Sequence, residues 1–431
     1  MTQPIWNKGS SDIDQEIMSF MAGEDIILDR HMMLFDIQAS KAHVAGLCSI
    51  SVITDDEKAE LTQSLDALAV EFKAGRFILD SRYEDCHSAI ESWLTEKLGE
   101  TGKKVHTGRS RNDQILVASR LYLRDALEQA TGLCDDIAQI CLTRAELHKD
   151  VAMPGYTHLQ RAVVSSAGMW FAGFAEAFID NKVLIMSTSQ WINSNPLGTA
   201  AGYGVNLSLD RDLTTEELAF NRLQVNPIYA QNSRGKYELQ VIMAFSQALL
   251  DVRRLSWDIS LFSTAEFDFV KLPDNMTTGS SIMPNKRNPD LVELMRGAYS
   301  VMQGASTELQ SLLSLPSGYQ RDLQFSKSPV VRSIEHALTV LKLTLRLVND
   351  VEFKQDVMES SISTDMYATD EAVKLVSQGM PFREAYKQIG SNLENLEQGS
   401  PQQSMQERTS PGACADLKLD VLRSRLKKIA D

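Results

Sequence analysis

The stretch NDQILVASRLYLRDALEQATGLCDDIAQICLTRAELHKD, residues 112–150, repeats apolar residues at the spacing of one long helix. The seam consists of Leu116, Leu123, Ala130 and Ile137 at seven-residue intervals, with Leu127, Cys134 and Cys141 four positions after the last three. Such a heptad seam is the pattern by which long helices pack side by side. At about 1.5 Å per residue, a helix of about 35 residues is about 50 Å long, which is more than one small domain needs.

The 12 prolines of the chain delimit further tracts of this kind, because proline is not tolerated inside a helix. These tracts are rich in residues that favour helix, and they span residues 162–192, 237–267, 290–315 and 329–348. They are joined by loops near 151–161, 193–236, 268–289 and 316–328. We therefore predict an all-α fold, an elongated bundle of long helices flanked by two smaller helical domains. The predicted domains are 1–105 (N-terminal helical), 106–355 (central bundle) and 356–431 (small C-terminal helical).

The second tract is apolar on more than one side. Its segment MWFAGFAEAF, residues 169–178, has few polar breaks. A helix with apolar residues all round is buried on all sides. A homo-oligomeric core is the simplest explanation, so we predict an oligomer.

Composition and charge limit the possible partners. The 431 residues include 43 Lys and Arg against 57 Asp and Glu, a net charge of −14, which repels nucleic acid and anionic membrane surfaces. No apolar run approaches the ~18 residues of a membrane span, and residues 1–10 carry no signal-peptide pattern. The five cysteines form no CxxC pair, so neither a disulfide framework nor a zinc site is expected. We predict a cytoplasmic protein without nucleic-acid or membrane partners.

The first of three polar segments at the ends of the long tracts is HTGRSRNDQ, residues 106–114. Backbone N–H groups at a helix start, together with Arg111, make an anion site. An ordinary capped helix start with surface arginines is the equally good alternative.

The second segment is PGYTHLQ, residues 154–160. Thr157 and His158 on a short connection could bind a carboxylate and move a proton. A lone histidine is more often structural, and this alternative stays open.

The third segment is GSSIMPNKRNPD, residues 279–290. Asn288 and Pro289 form a helix start, with Asn as the cap and Pro at the first helical position. The small residues before them can present a run of N–H donors, to which Lys286 adds positive charge. Glu293, in the first turns of the helix, could orient a histidine from another element.

Anion-binding loops and a possible His–Glu pair indicate proton abstraction next to a carboxylate. Fixed cations and N–H donors lower the barrier of that reaction by stabilising the charge that develops. The chain contains no GxGxxG or GxxxxGK[ST] phosphate loop and no metal-ligand spacing, so no cofactor or metal is expected. By these arguments alone, the chain is a carboxylate-binding helical enzyme.

The same segments resemble a known superfamily. Residues 279–288 are similar to the GSSxMPxKxN signature of the fumarase/aspartase superfamily. HTGRSRNDQ (106–114) and MPGYTHLQRA (153–162) resemble the argininosuccinate lyase family within it, as do EDCHSAIESWL (84–94) and GMPFREAY (379–386). The similarity extends over roughly nine-tenths of the chain. It implies a cofactor-free homotetramer that reversibly eliminates fumarate from argininosuccinate to release arginine, with each active site built from three subunits.

The resemblance also assigns roles to residues. Ser280 is the expected general base, with Lys286 and loop N–H groups as stabilisers, and His158 with Glu293 matches the family's paired His and Glu. The substrate carboxylates would be held by Arg111, Asn112, Thr157, Lys286 and Asn288. The rest of argininosuccinate would be bound by Tyr319, Gln324 and Lys327. The loop from about 277 to 288 is expected to close over substrate.

The chain departs from the family pattern at the end of the site that recognises arginine. Asp25 stands where a small serine is usual, near the amino-acid end of the substrate, and Phe325 and Ser326 replace a Glu-Asp pair. The segment NPIYAQNSRG (226–235) keeps Asn226 and Arg234 but lacks two acidic residues, and residues 6–10 lack the family's arginine.

These departures keep three alternatives open. The chain could be a sister lyase that releases fumarate from another N-substituted aspartate, such as an aminopolycarboxylate. It could be an adenylosuccinate lyase, which the segments 106–114 and 155–160 fit less well. A catalytically idle structural homologue is the third, which the joint presence of Ser280, His158, Lys286 and Glu293 opposes.

Overall fold

A computed structural model describes Ile17, Phe20 and residues 23–428. The segments 1–10 and 6–10 discussed above lie outside these residues. In chain order the helices are α1 Asp25–Asp29, α2 Met33–Ser49, α3 Asp55–Lys73, α4 Cys86–Leu98, α5 Glu100–Lys103, α6 Arg111–Leu147, α7 Ala167–Ile192, α8 Arg211–Glu217, α9 Pro227–Asn232, α10 Lys236–Phe262, α11 Asp290–Leu312, α12 Lys327–Asp350, α13 Gln355–Ser360, α14 Ala368–Ser377, α15 Phe382–Gly390, α16 Pro401–Glu407 and α17 Leu419–Lys428.

The strands are short and paired in twos. They are β1 Ala152–Thr157, β2 Gln160–Ser166, β3 Ser194–Asn195, β4 Arg222–Leu223, β5 Val270–Lys271, β6 Thr278–Gly279, β7 Arg287–Asn288 and β8 Glu352–Phe353. The pairs β1–β2, β5–β8 and β6–β7 are antiparallel, and β3–β4 is parallel. Short 3₁₀ helices lie at Lys104–His106, Asp274–Met276, Arg321–Ser326, Thr364–Tyr367 and Leu393–Asn395. The all-α prediction is therefore confirmed.

Helix α6 is the helix that the heptad seam predicted. All seven seam residues are buried, from Leu116 at 2% exposure to Cys141 at 0%. The start of the helix is anchored by Asp113, whose Oδ1 accepts the backbone N–H of Ser110 at 2.9 Å. The other oxygen of Asp113 accepts the N–H groups of Gly198 and Ala200, each at 3.0 Å. A buried carboxylate thus satisfies three backbone donors around the first turn, where helix N–H groups lack intrahelical partners.

The predicted start of the second long helix was wrong. The helix begins at Ala167 instead of residue 162, because Gln160–Ser166 pairs with Ala152–Thr157 as a β-hairpin. The hairpin contains an irregularity in register between Pro154 and Tyr156. Gly155 lies there, and a Cβ on it would meet the Val163 carbonyl oxygen at 2.9 Å, so the close approach of the two strands requires glycine.

Three other helix boundaries differ from the predicted ones by a few residues. Helix α10 ends at Phe262 and α11 ends at Leu312, where the tracts were expected to reach 267 and 315. Helix α12 begins at Lys327, two residues before Pro329. Proline is tolerated there because the N–H groups of a first turn have no intrahelical acceptor.

The chain forms two compact units. The first comprises the described residues up to Gln129, Ile185–Phe245 and Val301–His336, and the second Ala130–Leu184, Ser246–Ser300 and the residues from Ala337. Each unit has a core cluster of its own. In the first it is Ala39, Ala42, Val117, Leu121, Leu197, Leu218 and Phe220, and in the second Ala152, Val164, Ile362, Met366, Tyr367 and Met405. The boundaries 1–105, 106–355 and 356–431 stay a prediction.

All five cysteines are free thiols. Cys48 and Cys414 are partly exposed, whereas Cys86, Cys134 and Cys141 are buried. Burial raises the pKa of Cys134 and of Cys141 to about 12. Among the described helices, none is both long enough and apolar enough to cross a membrane.

Candidate active site

In the first unit, Lys327 is the centre of a buried ion-pair cluster. Its Nζ lies 2.6 Å from Oδ1 of Asp29 and 3.1 Å from Oδ1 of Asp25. The Lys327 side chain is 7% exposed, that of Asp29 is 0% exposed and that of Asp25 is 20% exposed. Lys327 is the first residue of α12, and both acids belong to α1 with the i, i+4 spacing that puts two side chains on one helix face.

The pKa values of this cluster follow from burial and from the neighbouring charges. Burial alone would lower the pKa of Lys327, but the carboxylates of Asp29 and Asp25 raise it above its usual value. For Asp25, burial raises the pKa more than Lys327 and Arg234 lower it, and Asp29 raises it further. Lys327 is therefore charged, and it is shared by two carboxylates.

Other predicted substrate residues lie around this cluster. The Gln324 side-chain nitrogen is 3.9 Å from the point where a Cβ on Gly23 would lie, next to α1. The Tyr319 ring centroid lies 5.8 Å from the guanidinium carbon of Arg234. The structure thus pairs Asp25 with Lys327 and puts the Gln324 side chain near Gly23. The role of these residues at the arginine end of the site stays a prediction.

A small cavity beside Lys327 was not foreseen. It measures about 10 Å³ and is lined by Arg234, Glu238, Ser326 and Tyr122 among others. That is room for about one water molecule. Glu238 is 7% exposed, and its Oε2 is buried without a hydrogen-bond partner among the described residues. A glutamate in the first turn of a helix is common and gives no sequence signal of this position.

Arg111 begins α6 and is held by acidic residues of the same unit. Its Nη1 lies 2.7 Å from Oε1 of Glu84 and 3.4 Å from Oδ2 of Asp85. Burial alone would lower the pKa of Arg111, but Asp85 and Glu84 raise it. The backbone N–H of the neighbouring Asn112 donates a hydrogen bond to the Ser110 Oγ at 3.3 Å. Sequence reasoning found Arg111 but not its two acidic partners.

A second buried cluster joins α2 to the start of α4. Nδ1 of His87 lies 2.6 Å from Oδ2 of Asp36, and the Cys86 Sγ is 3.6 Å from the same oxygen. Burial alone would lower the pKa of His87, but Asp36 raises it. Burial together with Asp29 and Asp36 raises the pKa of Cys86 well above its usual value. The two pKa shifts therefore favour a protonated imidazole on His87 and a neutral thiol on Cys86.

In the second unit, Ser280 lies at the turn of the β6–β7 hairpin. Its Oγ accepts the backbone N–H of Met283 at 3.1 Å and that of Ile282 at 3.4 Å. These donors favour a negative charge on the oxygen, which is what a serine base needs.

The rest of this loop is exposed and held by backbone pairing. Thr278 pairs with Asn288 and Gly279 with Arg287, and Nη1 of Arg287 reaches Oδ1 of Asp274 at 2.9 Å. Lys286 is exposed, with its backbone N–H bonded to the Met283 carbonyl at 3.1 Å.

Thr157 and His158 lie at the exposed tip of the β1–β2 hairpin. Thr157 pairs with Gln160, which leaves His158 and Leu159 as the two-residue turn. Both have positive φ, 54° and 57°, as a type I′ turn requires. Such values cost energy for residues other than glycine and are typical of functional sites.

His158 and Glu293 are not paired within one chain. Glu293 is exposed, and its recorded partner is Arg296, with Oε1 and Nη2 3.6 Å apart. Among the described residues, no hydrogen bond joins Glu293 to His158. The predicted pairing of the two side chains therefore stays a prediction.

The first unit thus holds a buried cation between two carboxylates and an arginine at a helix start. The second unit holds a serine whose oxygen accepts two backbone N–H donors. A family model described as "Lyase" matches residues 13–304. The chain therefore belongs to this lyase family.

Relatives of similar length show to which group within the lyase family the chain belongs. A protein of Xanthomonas oryzae pv. oryzae (strain PXO99A) named argininosuccinate lyase is 55% identical over 426 residues, 99% of this chain and 99% of its own. A protein of Stenotrophomonas maltophilia (strain R551-3) with the same name is 53% identical over 431 residues, 100% of both chains. Within the family, the chain belongs with the argininosuccinate lyases.

Solved structures show the same fold at lower identity. EDDS lyase in complex with formate matches with a TM-score of 0.77 at 23% identity, covering 98% of this chain and 92% of that one. A class II fumarase from Schistosoma mansoni matches with a TM-score of 0.68 at 17% identity, covering 90% and 94%. The fold is that of the fumarase/aspartase superfamily.

Proposed function

We propose that this protein reversibly eliminates fumarate from argininosuccinate and releases arginine, as a carbon–nitrogen lyase. The observation that carries the proposal is 55% identity over 99% of the chain to a protein named argininosuccinate lyase. The proposed pathway is arginine biosynthesis, and the proposed location is the cytoplasm. No cofactor takes part in the proposed reaction.

The chemical step would begin at Ser280. Its Oγ already accepts the N–H groups of Ile282 and Met283, so the alkoxide would form against fixed donors. This lowers the pKa that a serine hydroxyl otherwise has. The alkoxide removes the proton next to a substrate carboxylate, the C–N bond breaks, and the leaving nitrogen is protonated. Lys286 stabilises the charge that develops in this step.

The other predicted residues would bind and orient. Thr157, Asn288 and Lys286 in the second unit, and Arg111 and Asn112 in the first, would hold the two carboxylates that become fumarate. Tyr319, Gln324, Lys327 and Asp25 would bind the remaining part of the substrate. His158 and Glu293 would act as a pair in moving the proton to the leaving nitrogen.

We further propose a homotetramer. Large apolar side chains on the long helices are exposed in the single chain, which is typical of interaction surfaces. They include Met169, Val183, Trp191, Met243, Trp257, Leu294 and Val301. The pairing of His158 with Glu293 would then be made between copies, since the hairpin tip and the start of α11 both face outward.

The tetramer is tested by light scattering. Leu294 is 73% exposed, so Leu294→Glu removes little packing within one chain and is expected to reduce the measured mass. Gln303→Glu, on the opposite side of the same helix, is the matched control and is expected to leave the mass unchanged. A four-chain mass for both variants would remove Leu294 from the interface.

The activity is tested by following fumarate release in the ultraviolet. We expect rapid turnover of argininosuccinate and little or none of adenylosuccinate, aspartate or an aminopolycarboxylate. Phe325 and Ser326, in place of an acidic pair, favour the sister-lyase alternative. Turnover of an aminopolycarboxylate without turnover of argininosuccinate would make that alternative the function. Absence of turnover with every substrate would leave the structural homologue.

A further inference from the structure

Two carboxylates compete for one ammonium at the arginine end of the site. Lys327 lies 2.6 Å from Asp29 and 3.1 Å from Asp25. Asp29 has a second partner, because its Oδ2 accepts the backbone N–H of Cys86 at 3.0 Å. Both carboxylate oxygens of Asp29 are therefore bonded inside the protein, whereas within the described part of the chain Asp25 forms an ion pair only with the shared Lys327.

Asp25 is also the carboxylate that solvent can reach. Its side chain is 20% exposed and that of Asp29 is 0% exposed. Burial raises the pKa of Asp25 above its usual value in spite of Lys327 and Arg234, so its negative charge is incompletely compensated. A partly buried carboxylate of this kind gains from one more cation.

The chemistry of the ligand follows from these charges. A ligand carboxylate that approached Lys327 would lie close to Asp25, and the two like charges would repel each other. A ligand ammonium that approached Asp25 would complete its pairing and form a charge-assisted hydrogen bond. A serine at this position has no charge and cannot make that distinction.

We propose that Asp25 binds the α-ammonium group of the amino-acid end of the substrate and selects substrates that carry a free amine there. This inference rests on the proposed function, in which that end is the arginine part of argininosuccinate. Asp25 is then a specificity-determining residue, which accepts a zwitterionic amino acid and rejects acylated or polycarboxylate ends.

The test compares two substrates and three variants. The substrates are argininosuccinate and its des-amino analogue, in which hydrogen replaces the α-ammonium group. Asp25→Asn removes the charge and keeps the shape, and Asp25→Ser introduces the residue usual in the family. Glu24→Gln is the matched control, since Glu24 is the adjacent exposed carboxylate whose Oε2 accepts the Ser328 hydroxyl at 3.0 Å.

With argininosuccinate, we expect both Asp25 variants to raise KM by about 10- to 100-fold, the range for losing a hydrogen bond to a charged group, with a smaller change in kcat. With the des-amino analogue, wild type and both variants are expected to have the same KM. Glu24→Gln is expected to match wild type with both substrates.

Two results would overturn the inference alone. If wild type turns over argininosuccinate and the Asp25 variants keep its KM, Asp25 does not bind the amine. If the Asp25 variants raise KM by the same factor for argininosuccinate and for its des-amino analogue, Asp25 acts only by holding Lys327. If wild type does not release fumarate from argininosuccinate, the proposed function fails and the inference fails with it.

Discussion

The ammonium of Lys327 lies 2.6 Å from the carboxylate of Asp29, and the two residues are 298 positions apart in the chain. Both side chains are buried, so this ion pair joins the start of α12 to α1 inside the first unit. Removal of one partner of a buried pair leaves an uncompensated charge, which costs far more than loss of a surface pair.

We therefore expect Asp29→Asn to lower the free energy of unfolding by about 3 kcal/mol. This is the lower end of the range for a broken buried ion pair, because Asp25 stays next to Lys327 and still compensates part of its charge. Since the pKa of Lys327 is raised above 10.5, the loss should persist through neutral and mildly alkaline pH up to that value. Stability gained from a raised lysine pKa is present below the unfolded pKa and is lost only as pH rises through the folded one.

The measurement is denaturant unfolding of the wild type and two variants. Asp66→Asn, which breaks the exposed pair between Lys41 Nζ and Asp66 Oδ1 at 2.7 Å, is the matched control. Its expected loss is below about 1 kcal/mol. Equal losses for the two variants would contradict a special role for the buried pair.

Ser280→Ala should remove elimination without unfolding the protein. The hydrogen bonds of the Ser280 side chain within residues 23–428 go to N–H groups of its own loop, so the melting temperature should stay close to that of the wild type. Loss of a general base lowers kcat by about 10²- to 10⁴-fold. Fumarate release and thermal melting measure the two quantities, and near-wild-type turnover by the variant would exclude Ser280 as the base.

His106 should make the protein less stable in mild acid. Burial, together with the cations of Arg109 and Arg111, lowers its pKa to about 4. In the unfolded chain His106 has the usual pKa of 6.5, so between pH 6.5 and pH 4 the unfolded chain binds a proton that the folded chain does not bind. Stability from this group is present above pH 6.5 and is lost as the pH falls toward 4.

The variant His106→Gln should therefore lose less stability than the wild type between pH 6.5 and pH 4. The pKa of His43 is also lowered, mainly by burial, so part of the acid sensitivity should remain in the variant. Urea unfolding at a series of pH values measures the difference, with His336→Gln as the control for loss of an imidazole. Identical pH curves for wild type and His106→Gln would contradict the prediction.

Leu159→Gly should stabilise the β1–β2 hairpin. Leu159 has φ of 57° and a side chain 73% exposed, so glycine removes a backbone penalty and little packing. The left-handed region costs roughly 1–2 kcal/mol for a residue with a Cβ, and the extra freedom of glycine in the unfolded chain offsets about half of this. We expect a net gain of about 0.5–1 kcal/mol in thermal unfolding.

The matched control is Leu159→Ala, which removes the same side chain and keeps the backbone penalty. It should leave the free energy of unfolding within about 0.5 kcal/mol of the wild type. A gain of equal size for alanine would mean that the exposed leucine, and not the backbone, is the cause.

The long helices were readable from the sequence because their signal is local. The heptad positions from Leu116 to Cys141 and the prolines around them place α6 within a few residues of its observed ends. The β1–β2 hairpin was missed because its turn, His158–Leu159, contains neither glycine nor asparagine. Arg161 and Ala162 gave no stop signal, so the helix was extended backward into a strand.

Within the site, local motifs were found and distant partners were not. The segments around Arg111, His158 and Ser280 contain recognisable sequence motifs. The residue types at positions 25–29 and 327 do not indicate that Asp25, Asp29 and Lys327 form one ion-pair cluster. Lys327 and Asp25 were proposed from the family resemblance, and Asp29 and Glu238 were not proposed, because contacts over such sequence distances depend on the tertiary fold.

The two partly exposed cysteines have a practical consequence. Cys48 belongs to the first unit and Cys414 to the second, whereas the other three thiols are buried. A maleimide dye would accordingly label the native chain at one position in each unit without any substitution. Burial raises the pKa of Cys48, so the labelling of its thiol should become faster as the pH is raised. The natural chain thus offers two thiols to which a donor dye and an acceptor dye can be attached, so that fluorescence energy transfer can be followed during turnover.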